Sequence, residues 1–112
     1  MELNFEMKDN VGVLKVSGRL DAYNSAEFKE NFTKYAEQTV NFVLDLSTLD
    51  FLDSTGLGSL VACLKAISEK DGDIRIANMS EKPRMVFEIT RAYKIFEIFD
   101  DVDVAIMSYE AD

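Results

Sequence analysis

The sequence predicts an α/β domain built on one mixed β-sheet, with an N-terminal antiparallel strand pair, parallel central strands and about four covering helices. Three observations carry this. Period-two apolar alternation opens the chain, helical apolar stripes alternate with short β-rich runs after it, and Leu52-Asp53-Ser54-Thr55-Gly56-Leu57-Gly58 joins the two patterns at a strand-to-helix corner. The 112 residues suffice for one core and not two, so residues 1–112 are read as a single domain.

Leu3, Phe5 and Met7 alternate with polar neighbours, and Asp9-Asn10 offers a tight turn into a second strand, Val11 to Ser17, which Gly18-Arg19-Leu20-Asp21 closes. Asn24 and Glu27 have the spacing of a capping box, opening a helix whose Phe28, Phe32, Tyr35 and Ala36 share a face. The run Val40 to Leu46 is continuously apolar, as expected of a central strand covered on both sides. The corner follows, and its helix runs to about Lys70, with Asp71-Gly72 as a left-handed stop. Ile74 and Ile76 alternate with Asp73 and Arg75 in another short strand. Ser80 caps a helix with Pro83 in its first turn and Met85, Val86, Ile89 and Tyr93 as its packing face. Ile95 to Phe99 reads as a strand. In the last element, after Asp100-Asp101, Val102, Ala105, Ile106 and Tyr109 fit a helix, which is favoured, and Val102, Val104 and Ile106 fit a strand.

Composition narrows the function. A net charge of −9 repels phosphate backbones and anionic lipid, so nucleic acid and membranes are poor partners and a basic protein surface is a good one. The same acidity suggests a monomer. With no histidine, the Ser-His-Asp triad, the Cys-His dyad and most zinc sites are excluded. A single cysteine, Cys63, cannot form an internal disulfide, and the N-terminus lacks a signal-peptide pattern; together they point to the cytoplasm.

At the corner, Asp53, Ser54 and Thr55 are side chains that satisfy free N–H groups at a helix start, and Gly56 and Gly58 leave room for close approach. Taken alone this is most simply a helix cap. The carboxyl ends of parallel strands share one rim, which should also gather Asp21 to Asn24 and Ala77 to Ser80 around the serine. A serine nucleophile lacks an imidazole or lysine relay here. A Mg²⁺ or phosphoacceptor pocket of Asp21, Asp50 and Asp53 fails because the first strand enters a hairpin and not a crossover, so neither metal nor cofactor is expected.

Gly18-Arg19-Leu20-Asp21, the apolar strand to Leu46 and Asp53-Ser54-Thr55-Gly56-Leu57-Gly58 with its helix together resemble the STAS family, and within it the short bacterial anti-sigma-factor antagonists. The resemblance spans essentially the whole chain. It implies a non-enzymatic regulator in which Ser54 is the phosphoacceptor, with Thr55 as the competing hydroxyl. The kinase would be the partner itself, an anti-sigma factor with serine kinase activity using ATP and Mg²⁺, and a separate serine phosphatase would reverse the modification. The implied partner-facing surface comprises Asp21, Tyr23, Asn24, Asp53, Ser54, Thr55, Gly56, Leu57, Gly58 and Asn78. Alternatives are a STAS subunit of a lipid-transport or stress-signalling complex, and a nucleotide-binding domain, which lacks a phosphate-loop motif.

Overall fold

The computed structural model describes residues 1–110. Strands β1 (Glu2–Lys8) and β2 (Val11–Leu20) form an antiparallel hairpin. Its two-residue turn places Asp9 at φ 50° and Asn10 at φ 70°, the doubly left-handed geometry that matches strand twist. Helix α1 (Ser25–Tyr35), strand β3 (Asn41–Asp45), strand β4 (Leu49–Leu52), helix α2 (Ser54–Ser68), strand β5 (Asp73–Ala77), helix α3 (Glu81–Thr90), a 3₁₀ turn at Ala92–Lys94, strand β6 (Ile98–Phe99) and helix α4 (Val102–Ser108) follow. The sheet order is β1-β2-β3-β5-β6 with every pair after the hairpin parallel, as expected from right-handed crossovers.

Strand β4 was not anticipated. It pairs with the upper half of β2, Gly18 to Leu20, in the lane that β3 occupies beside Gly12 to Lys15. The changeover explains Gly18. At φ 86° it hosts a register shift where β2 exchanges one partner for the other, so the strand continues to Leu20 and does not end at the glycine.

The two faces of the sheet bury different sets of side chains. Leu14, Phe42, Leu44, Ile74 and Ile76 point toward Phe28 and Phe32 of α1 and Leu60 and Ile67 of α2. Val11, Val13, Val43 and Ala77 meet Ala105 and Ile106 of α4. This second cover buries Arg75, which alternates with Ile74 and Ile76 along β5. Only 5% exposed, it bonds to Asp73 and Ser108 and lies 3.9 Å from the centre of the Tyr109 ring. The last element is a helix, capped by Asp101 through the Val104 amide.

Other expectations need correction. Helix α2 ends at Ser68, short of Lys70, while the left-handed stop forms at Asp71, at φ 62°, as expected. Gly72 is required for packing, since a Cβ there would lie 2.1 Å from the Val40 carbonyl oxygen. Helix α3 buries Pro83 and Phe87, whereas Met85 and Ile89 are exposed, because the helix packs across the end of β4 on its Pro83 side. Pairing with β5 extends only over Ile98 and Phe99, so Ile95 to Glu97 are not strand. Ser80 occupies the N-cap position of α3 but donates its hydroxyl to the Leu49 carbonyl instead of capping.

Candidate functional site

The corner forms where β4 delivers the chain to α2. Asp53 is the N-cap in extended geometry, and its Oδ1 accepts from the Gly56 amide at 2.7 Å. Its Oδ2 accepts from the Ala22 amide at 3.1 Å, across a sequence separation of 31 residues. One carboxylate thus caps the helix and clamps the loop after β2 against it. The Asp53 amide reinforces this by donating to the Leu20 carbonyl at 3.4 Å.

Ser54 and Thr55 fill the first helical turn and are exposed. Contrary to the capping expectation, neither hydroxyl has a hydrogen-bond partner among the described residues, since Asp53 does the capping alone. The two glycines have separate roles. A Cβ on Gly56 would lie 2.1 Å from the Leu20 carbonyl oxygen, so Gly56 is demanded by the fold. A Cβ on Gly58 would meet nothing within 4 Å among the described residues. Leu57 is buried beneath them.

The 21–24 loop is stitched internally. Asp21, 7% exposed, accepts from the Tyr23 amide at 3.0 Å and from Arg19 Nε at 3.3 Å. Asn24 sits at the N-cap position of α1, yet its amide group donates to the Arg19 carbonyl and its Oδ1 accepts from the Asp21 amide, so the expected capping box does not form. Asp21 and Asn24 therefore shape the loop, and Tyr23, 98% exposed, is what it displays. Arg19, to which the sequence reading gave no role, binds Asp21 and lies 4.0 Å from the centre of the Phe51 ring, linking the loop to β4.

Asn78 does not join this group. β5 ends with Ala77 at the level of Asp45 and Lys15, five residues of β2 below Leu20, so Asn78, one residue on, lies about 13 Å short of Leu20 along the strand axis. Its amide bonds to Phe99 on the far side of β5. β4 is the reason: it carries the serine one tier above the rim formed by β3 and β5. A groove of about 350 Å³ under α3, lined by Met79, Arg84, Phe87, Glu88, Tyr93 and Ile98, contains none of the corner residues. Among the described residues no helix is long and apolar enough to cross a membrane.

A mixed sheet with an antiparallel N-terminal pair, parallel remaining strands and four covering helices is the STAS fold. The STAS domain family matches residues 2–105, and the chain belongs to it. Among its relatives, the anti-sigma-B factor antagonist of Bacillus subtilis (strain 168) is 30% identical over 100 residues, covering 88% of this chain and 92% of the relative. That of Staphylococcus aureus (strain NCTC 8325 / PS 47) is 32% identical over 107 residues, covering 93% and 99%. The crystal structure of an anti-sigma factor antagonist from Mycobacterium paratuberculosis superposes with a TM-score of 0.86 at 25% identity, covering 96% and 92%. These relatives are named as regulators and not as enzymes.

Proposed function

We propose that this chain is an anti-sigma-factor antagonist whose unmodified form binds an anti-sigma factor with serine kinase activity, and that phosphorylation of Ser54 by that partner ends the interaction. The observation that carries the reading is the exposed, unpartnered Ser54 hydroxyl at the first position of α2, beside a carboxylate already committed to two backbone amides. Gly58 leaves the same face bare, and the loop that Asp53 clamps through Ala22 displays Tyr23 to solvent.

The switch needs no refolding. A phosphate on Ser54 adds about −1.5 to −2 charge, next to helix-start amides and the positive end of the helix dipole, where an anion is tolerated. In the free protein the modification is therefore locally mild. Against a docked partner it adds bulk on a face that Gly58 leaves bare, together with a strongly hydrated anion that docking must desolvate, at a cost of several kcal/mol. A cost of about 3 to 4 kcal/mol lowers affinity by hundreds-fold. A serine phosphatase would restore the bare hydroxyl.

Titration of wild type, Ser54→Ala and Ser54→Asp against the kinase anti-sigma factor of the same genome tests this. Ser54→Ala should bind like the unmodified protein and stay bound with ATP and Mg²⁺, while Ser54→Asp should bind at least tenfold more weakly. Equal affinities for the two variants would remove the switch, and fragment mass spectrometry after kinase treatment distinguishes Ser54 from Thr55.

A further inference from the structure

Among the described residues the outer edge of β1, seven residues long, is unpaired, whereas the opposite edge of the sheet is the two-residue β6. Which groups face outward follows from the turn. In a two-residue hairpin, Lys8 and Val11 flank the turn and exchange both hydrogen bonds, so the even-numbered residues of β1 bond to β2. The N–H and C=O groups of Leu3, Phe5 and Met7 therefore point to the open edge.

Antiparallel pairing of this edge with itself must match odd residues to odd ones, which leaves three registers that overlap well. Centred on Asn4, it sets Glu2 against Glu6; centred on Glu6, it sets that glutamate against its own copy. Like charges directly opposite are destabilising. Centred on Phe5, it pairs Glu2 with Lys8 twice, Leu3 with Met7 twice and Phe5 with Phe5. Edge charges commonly serve to block such pairing. Here they block two registers and complement the third.

We propose that β1 is a self-association surface whose occupant is β1 of a second copy, antiparallel and centred on Phe5. Leu3 and Phe5, half-buried in one chain, and Met7, 39% exposed, would be covered by the same residues of the partner. The contact is two-fold symmetric and uses up the long edge, so it closes at a dimer. It uses the outer edge of β1, whose Glu2 end lies level with Ser17, three residues of β2 short of Leu20, and it does not depend on the function proposed for the Ser54 corner. The monomer expectation rests on net charge, whose long-range part is screened within about 8 Å at physiological salt.

Sedimentation equilibrium of the full chain at physiological ionic strength, up to about 1 mM, tests the proposal with Glu2→Lys, Lys8→Glu and the double exchange, circular dichroism confirming each fold. Wild type should show a monomer–dimer equilibrium. Each single substitution should weaken it about tenfold by turning two attractive pairs repulsive, and the double exchange should restore it. Glu2→Lys is the decisive variant, because it lowers the net negative charge and would strengthen association governed by net charge alone. A wild type monomeric throughout, single variants that associate unchanged or more strongly, or a double exchange that fails to restore association would each overturn the proposal.

Discussion

Asp53→Ala removes two hydrogen bonds that meet on one carboxylate, the cap on Gly56 and the clamp on Ala22. Loss of an N-cap costs about 1 kcal/mol, and a bond to a charged group is worth about 1.5 kcal/mol or more. Because Asp53 is half exposed, water recovers part of the second term, and the sum is about 2 kcal/mol. For a domain of this size that lowers Tm by about 8 °C. Asp53→Asn separates the contributions: its amide oxygen can still cap Gly56, but its NH₂ group would then face the Ala22 N–H, so the clamp alone is lost and the variant should fall between wild type and alanine. The assay is thermal and urea unfolding followed by circular dichroism, together with partner titration, in which both variants should bind more weakly because the loop that displays Tyr23 is no longer clamped to the helix start. An alanine variant within about 0.5 kcal/mol of wild type, the range of ordinary surface substitutions, would refute the clamp.

The glycines of the corner should respond in opposite ways. Gly56→Ala drives a methyl into the Leu20 carbonyl and should destabilise by about 3 kcal/mol in urea unfolding. Gly58→Ala meets open space and should stabilise α2 by about 1 kcal/mol, yet weaken partner binding by obstructing the docking face; unchanged affinity in titration would remove Gly58 from that face. Cys63, buried on α2, has its thiol pushed up to about 12 by burial, with Lys29 opposing. The unfolded thiol ionises first as pH rises, so the contribution of Cys63 is fully present below its ordinary value of 9.0 and is lost between there and about 12. The stability difference between wild type and Cys63→Ala should shrink over that interval in urea titrations at successive pH values; a difference independent of pH would contradict the burial.

Features written in local periodicity were legible in the sequence. The alternation of β1 and the Phe28-Phe32 stripe of α1 correspond to observed elements, and so does the fully buried run Phe42-Val43-Leu44, because side-chain spacing alone specifies which face each residue presents. The Asp53 cap was readable for the same reason: it acts three residues away. Packing-face errors on α3 arose where apolar residues encircle the helix, so that periodicity does not single out the Phe87 side. Strand β4 was hidden because four residues carry little pattern and their pairing depends on a partner about 30 positions earlier.

The sequence by itself determined the fold class and the presence of a hydroxyl at a helix start, which follow from patterns spanning a few residues, and the parallel order of the central strands, which follows from the alternation of strands with crossover helices. Only the tertiary structure decided that β2 changes partners at Gly18, that Arg75 lies beneath α4, that Asp53 reaches Ala22, and that Asn78 stops a tier below Ser54. Each of these depends on atoms brought together across dozens of residues, where a side chain's role is set by whichever backbone group or ring is packed against it and not by its neighbours in the chain.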